Sequence, residues 1–526
     1  MSDELLLAID AGTGSVRAVV FGADGEQLSI GQREYSHAQL PGVEGSRVFD
    51  TTGNWELIAA CIRKALAGAG ADAAAVKAVA ATSMREGMVL YDAGGHEIWA
   101  CPNTDGRAGA ESAELVRSGL AQEIYERSGD WVSITAPPRF RWIARHQPDV
   151  FASIAHVGMV GDWILNRLSG AFVTDPSIGS SSGMFELAQR DWSDRILEIC
   201  ELDRSVFPPV VDPGTVVGEV TDAAAAQTGL RAGTPVVVGG GDTQLALLGL
   251  GVTEPGRFTI VGGSYWQQTA IVAEPLIDPR RRLRTACHAA PERWMIEGIG
   301  FFSGLVMRWF RDAFCELEIA QARRQGTSAY ELLERKAATR PPGSGGIVGL
   351  FSNVMQADHW VHASPGFLGF DVEDPARAGR IECFRAIEES AAYVSRGHLE
   401  FVADITGSEP QAAVLCGGAS SGHLWPQIVA DTLGLPVRIP VVKEATALGA
   451  ALCAGVGAGL YDDAAAVARG LTGFERTVEP DPDAQAAYDH LYRQWRELYP
   501  RALELTDAGR LRPLWRAAEA EPRETL

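Results

Sequence analysis

Residues 5–21 read LLLAIDAGTGSVRAVVF, and this stretch decides the fold. Residues 5–9 form a short apolar run with the length and composition of a buried strand. Asp10-Ala11-Gly12-Thr13-Gly14 is a glycine-rich turn, and residues 15–21 are a second strand. Ala23-Asp24-Gly25 turns the chain into a third strand over 27–34. Three strands joined by tight turns make a β-meander that opens a sheet. Leu57, Ile58, Cys61, Ile62 and Leu66 recur at helical spacing and predict a helix over 55–66. Residues 76–81 are again strand-like and lead into Ser83-Met84-Arg85-Glu86-Gly87.

The same unit returns further along. Residues 257–261 are a strand, Gly262-Gly263-Ser264 is a turn, and residues 265–272 are a strand. This repetition predicts an internal duplication, with two related α/β domains over residues 1–250 and 251–526. Between the two units the chain is mostly helical over 108–171. A buried strand at 235–238 runs into Gly239-Gly240-Gly241-Asp242, with an apolar helix over 245–250 behind it. In the second half, a strand over 412–416 ends in Gly417-Gly418-Ala419-Ser420-Ser421. Helices are expected over 424–433, 444–454 and 464–468, and a strand over 436–439. Residues 484–503 place Tyr488, Leu491, Tyr492, Trp495, Leu498 and Tyr499 on one face of a closing amphipathic helix.

Bulk properties narrow the function. A chain of 526 residues divides into domains. Its 46% hydrophobic and 21% charged composition is that of an ordinary globular enzyme. Lys plus Arg is 46 and Asp plus Glu is 67, a net −21 that opposes a nucleic-acid surface. The start, Met1-Ser2-Asp3-Glu4, is acidic where an export signal is basic. No apolar run reaches the ~18 residues of a membrane span. Eight scattered cysteines without a CxxC pair suit reduced thiols. These features point to a cytoplasmic protein. His359 and His362 form an isolated HxxH without further nearby ligands, so no metal site is expected there.

Four places carry candidate chemistry. In the first turn, Gly12, Thr13 and Ser15 offer backbone and hydroxyl donors to an anion, and Arg17 adds charge. Asp10 can hold Mg²⁺ through its water shell; the turn can equally be a plain hairpin, and it is not a Walker loop. Asp242 ends a buried strand at a helix start, where it can serve as a base or cap the helix. Gly417 and Gly418 let a ring or a phosphate lie against backbone. Arg85 and Glu86 follow an apolar strand, at the edge where α/β proteins bind ligands; a fork of donors beside an acceptor suits a polyol or sugar, and a surface ion pair is the other reading.

Taken in order, DxGTxSxR over 10–17, Asp242, the turn at 262–264, Gly417-Gly418 and the EATALG segment over 444–449 resemble the FGGY carbohydrate kinases over nearly the whole chain. That resemblance implies two ribonuclease H-like domains of the actin and hexokinase type with an interdomain cleft, ATP and Mg²⁺ as cofactors, and a small-molecule substrate. It implies Asp242 as general base and Asp10 as the Mg²⁺-organising carboxylate. Gly12, Thr13, Ser15, Arg17, Gly263 and Ser264 would cradle the phosphates. Gly417, Gly418 and Ser421 would line the adenosine pocket. Arg85, Glu86 and Asp242 would orient the substrate, with Trp266 and Gln267 as pocket walls. The segments SMREG (83–87), WACPNTDGRA (99–108), VVVGGGDTQL (236–245), FFSGLVMRWFRDAFC (301–315) and VVKEATALG (441–449) resemble the members acting on 4,5-dihydroxy-2,3-pentanedione, the linear precursor of the autoinducer-2 signal. A pentulose or polyol kinase of the same family is one alternative, and a non-catalytic ligand sensor on the same fold is the alternative of another class. Arg139 replaces the family's usual signature Lys and Ser264 its frequent Thr, each conserving the chemistry. A homodimer is compatible with the sequence; a nucleic-acid or membrane partner is not expected.

Overall fold

The computed structural model describes residues 4–517 apart from 71, 357–358 and 375. β1 (Leu5–Ala11) is buried at every position, as its apolar run over 5–9 requires of a central strand, and it carries the buried Asp10 near its end. It pairs antiparallel with β2 (Ser15–Gly22), and β2 with β3 (Gln27–Glu34), so the meander forms. Helix α1 (Thr51–Ala69) begins where the Asp50 carboxylate accepts from Gly53 N and stops at left-handed Gly70. The chain returns as β4 (Val76–Ser83), parallel to β1. β5 (Val216–Glu219) and β6 (Pro235–Gly241) complete a six-stranded sheet in the order β5-β6-β4-β1-β2-β3. Helix α2 (Asp242–Gly249) follows β6 directly. The segment between β4 and β5 gathers its own apolar core around Met88, Tyr125, Phe140 and Phe185.

The second half repeats the plan. β7 (Phe258–Gly262), β8 (Trp266–Val272), β9 (Arg284–Cys287) and β10 (Trp294–Phe301) precede the long helix α3 (Arg380–Thr406). β11 (Ala413–Cys416) and β12 (Val437–Pro440) come next, then helix α4 (Ala445–Gly457) and β13 (Phe474–Val478). The seven-stranded sheet has the order β9-β10-β8-β7-β11-β12-β13. Within it, β10-β8-β7 is an antiparallel meander, and β11 and β12 continue in parallel. That is the arrangement of β3-β2-β1 with β4 and β6 in the first sheet, so the duplication read from the glycine turns extends to the whole topology. Helix α5 (Pro482–Asp507) closes the fold and buries Tyr488, Tyr492, Trp495 and Tyr499.

The two halves interlock through α2 and α4, the helices that follow matching strands β6 and β12. Although it lies in the second half of the sequence, α4 buries Ala447, Leu448, Ala450 and Ala451 in one core with Leu6, Ala8, Ala78 and Val237 of the first sheet. In return, Leu247 of α2 shares a core with Ile271, Met295 and Val414 of the second sheet. The helices touch backbone to backbone. A Cβ on Gly449 would lie 2.0 Å from the Leu245 carbonyl oxygen, and one on Gly249 would lie 2.1 Å from that of Ala445. Only glycine permits this approach, and the two contacts mirror one another across the pseudo-twofold relation of the halves.

Candidate active site

The first turn leaves β1 with Asp10 nearly buried and Gly12, Thr13 and Ser15 partly open. Tyr35 donates its hydroxyl to the Gly12 carbonyl, a His37 ring nitrogen lies 2.9 Å from the Thr13 carbonyl, and Asn103 donates to Thr13 Oγ1 at 2.9 Å. The turn is therefore held by Tyr35, His37 and Asn103 while Gly12, Thr13 and Ser15 stay partly open. Arg17, on β2, lies 3.7 Å from Asp10 and 2.8 Å from Glu444 at the start of α4. Burial pushes the Asp10 carboxyl up to about 7; Arg17 opposes this, and the negative charges of Asp242 and Glu444 reinforce it.

Asp242 is the first residue of α2, with Gly241 in the capping position. One carboxylate oxygen accepts from Thr243 N at 2.7 Å. A third of the side chain remains exposed, and Arg85 Nε lies 3.7 Å away. Desolvation in the cleft raises its pKa to about 6, against the pull of Arg85 and with a further push from Glu86.

Arg85 and Glu86 are buried and meet charges from the second half. Arg85 makes two 2.9 Å bonds to Glu297 of β10. Glu86 takes a left-handed backbone, φ 59, and accepts from Arg284 of β9 at 2.6 Å. Arg284 also donates to Asp130 and lies 3.6 Å from Glu297. Burial works to raise the Glu86 carboxyl, but Arg284, Arg85 and Arg139 hold it below the usual carboxylate range. Arg139, fully buried in the helix Ala136–His146, donates to the Glu86 carbonyl and to the Asp105 carbonyl at 3.1 Å, so the replacement for the family's Lys braces the loop that carries Glu86. This six-charge cluster (Arg85, Glu86, Asp130, Asp242, Arg284 and Glu297) joins the halves at one end of the cleft.

A cavity of ≈ 710 Å³ opens on the second half. The expected Gly263, Ser264, Gly418 and Ser421 line it, together with Met307, Phe384 and Trp425. Gly417 does not line it. It stands one residue behind at φ 82, and a Cβ there would lie 2.7 Å from the Gly262 carbonyl oxygen, so Gly417 lets the two glycine turns touch. Trp266 also departs from expectation. It is fully buried, stacks on Trp425 at 4.9 Å and donates to Ser395, which puts it behind the cavity and away from the substrate end. Its neighbour Gln267 points the other way along β8, within 3.4 Å of Thr243 beside Asp242.

The chain matches the family model of the FGGY carbohydrate kinases in both parts, the N-terminal domain over residues 5–249 and the C-terminal domain over 269–458. The protein belongs to the FGGY family. Among curated proteins, this FGGY kinase is 45% identical to the autoinducer-2 kinase of Klebsiella pneumoniae over 99% of its own length and 98% of the relative's. The autoinducer-2 kinase of Yersinia enterocolitica is also 45% identical, with 98% of each chain covered. The xylulose kinase of Rhodospirillum rubrum superposes with a TM-score of 0.83 at 28% identity, covering 95% of this chain and 99% of that one. The glycerol kinase of Plasmodium falciparum, with a TM-score of 0.81 at 16% identity, shares the fold.

The FGGY kinase thus brings Asp10, Gly12, Thr13, Ser15, Arg17 and Asp242 to one cleft, with Arg85 and Glu86 at its polar end and Gly263, Ser264, Gly418 and Ser421 at its cavity. Sequence reading missed Glu297 and Arg284, which lie in strands of the other half, and Tyr35 and His37 behind the first turn. A period-two reading of β8, which alternates Trp266 inward and Gln267 outward, would have separated those two residues.

Proposed function

We propose that this kinase transfers the γ-phosphoryl group of ATP to the terminal hydroxyl of 4,5-dihydroxy-2,3-pentanedione, giving phospho-autoinducer-2. The observation that carries the chemistry is Asp242, a partly open carboxylate at a helix start, 3.7 Å from Arg85. The substrate follows the end-to-end likeness to autoinducer-2 kinases.

In this reading residues 1–250 form the acceptor domain and residues 251–526 the nucleotide domain, with α4 lodged across the border. Arg85 and Glu86 orient the hydroxyl and carbonyl groups of the acceptor through donors and acceptors already fixed by Glu297 and Arg284. Asp242 accepts the proton of the attacking hydroxyl as its oxygen bonds to phosphorus and the bond to the leaving ADP oxygen breaks. Gly12, Thr13 and Ser15 from the first turn, with Gly263 and Ser264 from the second, present N–H and hydroxyl donors to the phosphates. Residues from both halves surround the reaction and exclude water that would otherwise take the phosphoryl group.

The donor set at Asp10 fits Mg²⁺. Asp10 is coupled to Asp242 and Glu444, and among the described residues no group of three or more ligating side chains converges there. Mg²⁺ is a hard cation that takes few carboxylates and keeps several waters. Asp10 would hold it through water, and the bound ion would neutralise charge on the phosphate oxygens. Dependence on ATP argues for a cytoplasmic site of action. No helix among the described residues is long and apolar enough to cross a membrane.

The test is ATP consumption with Mg²⁺ on 4,5-dihydroxy-2,3-pentanedione, xylulose, ribulose, glycerol and erythritol. Preference for the pentanedione is expected; preference for a pentulose or polyol would overturn the substrate and leave the chemistry standing. Asp242→Asn should lower kcat at least ~10³-fold while ADP binding persists. Full turnover in that variant would remove Asp242 as the base.

A further inference from the structure

The cavity beside Gly263 and Gly418 has a buried carboxyl group in its wall that lacks a hydrogen-bond partner among the described residues. Glu388, on α3, is 0% exposed and lines the cavity. Among the described residues, neither of its carboxyl oxygens has a hydrogen-bond partner. Buried carboxyl groups are almost always paired, and an unpaired one aimed into an open cavity points to a ligand. Its neighbours in space do not relieve it. Arg385, one turn back on α3, is held by Glu389 at 2.9 Å and by Tyr488 at 2.8 Å. Glu334, also at the cavity, accepts from His423 N at 3.1 Å. The cavity lining is mixed, with Arg308, Ser328, Glu334 and His423 among its polar members and a set of flat or flexible apolar side chains beside Glu388. Phe384 lies one turn before it on the same face of α3, with Met307 and Trp425 nearby. The apolar side chains can receive an aromatic ring, and a polar group beside them can read its edge.

We propose that Glu388 recognises the 6-amino group of adenine. The proposal rests on the ATP-kinase reading above and adds the residue that would choose the base. Burial, with help from Glu334 and against Arg385, holds the Glu388 carboxyl well above the usual carboxylate range. A neutral carboxyl group offers one O–H donor and one carbonyl acceptor. An adenine edge offers the complement, an amino N–H beside a ring-nitrogen acceptor, so two hydrogen bonds close without a buried charge.

The test is calorimetric binding of ADP and of purine riboside 5′-diphosphate, which lacks only the 6-amino group. Wild-type protein should prefer ADP by about tenfold, the value of one lost hydrogen bond in a buried site. Glu388→Leu should bring the two affinities together. Glu388→Gln, which keeps a donor and an acceptor, should retain most of the preference. A residue needed only for packing would lower both affinities alike and leave their ratio intact. An undiminished ratio in Glu388→Leu overturns the assignment. Equal binding of both ligands by the wild type overturns it without any variant, and leaves the kinase reading in place. Failure of the wild type to bind either diphosphate overturns both.

Discussion

The two ends of the cleft treat buried charge in opposite ways. At the end proposed for the acceptor, Arg85, Glu86, Asp130, Arg284 and Glu297 are all nearly buried, and each has a partner of opposite sign. At the cavity of the second half, proposed above for the nucleotide, Glu388 is as deeply buried and has no hydrogen-bond partner among the described residues. The paired end takes its charges from both halves of the chain, so it fixes how the halves meet and presents rigid donors and acceptors to a small polar molecule. The unpaired end draws its residues from the second half, where Met307, Phe384 and Trp425 share the cavity lining with polar groups such as Arg308, Ser328, Glu334 and His423, and where Glu388 stays without a hydrogen bond on both carboxyl oxygens. Buried polarity at the first end is satisfied within the protein; at the second, in the proposed reading, a ligand satisfies it.

The sharpest way to break this contrast is to compare stability changes of opposite sign. Glu297→Leu leaves Arg85 and Arg284 buried with one carboxylate fewer, and should cost ~3–5 kcal/mol in chemical denaturation. Glu388→Leu removes a desolvated, unpaired carboxyl and should gain about 1 kcal/mol. The difference lies in the partners, since burial is alike. If Glu297→Leu is neutral, the cross-domain cluster does not hold the halves together. If Glu388→Leu is strongly destabilising, that carboxyl has a partner in solution and the two ends are alike.

The paired end also shifts the carboxyl proposed as the base. Asp242 has its pKa raised to about 6, so its carboxylate is present above that value and lost by protonation below it. The rate should therefore fall about tenfold per unit as pH drops below about 6. Glu86 contributes to the rise, so Glu86→Gln should move this limb to lower pH even where the maximal rate is reduced. A limb that stays in place would mean that the acid limb reports a group other than Asp242.

The meander, the second glycine turn and Asp242 were legible in the sequence because each is a local signal: an apolar run, a turn residue, a carboxylate at the junction of strand and helix. The duplication was legible for the same reason. Glu297 and Arg284 were not. They lie in short apolar strands, and their partners Arg85 and Glu86 are about two hundred residues away in sequence. Nothing nearby tells a buried charged residue from a solvent-facing one. Glu388 was hidden in Ala386-Ile387-Glu388-Glu389-Ser390, which reads as the wet face of a helix, whereas α3 is enclosed there on all sides. The exchange of α2 and α4 left a trace in the sequence, since both helices are short, apolar and end on or contain a glycine. The contact they make, Gly449 against the Leu245 carbonyl, exists only in three dimensions.

Between the two ends lies an intermediate case that measures how far the contrast depends on exposure. Arg17 and Glu444 are 2.8 Å apart, with 28% and 25% of their side chains exposed, and they tie β2 to the start of α4. Water reaches both groups, so their attraction is screened and ordering the side chains offsets much of it. Glu444→Gln should therefore cost no more than ~1 kcal/mol in the same denaturation experiment, well below Glu297→Leu. It should also lower the Asp10 pKa, now about 7, by removing one of the negative charges that raise it. A cost for Glu444→Gln that rivals Glu297→Leu would mean that partial exposure gives no relief in this cleft. The buried cluster at the acceptor end would then be ordinary among its ion pairs, and the rigidity assigned to it would belong to the whole interface between the halves.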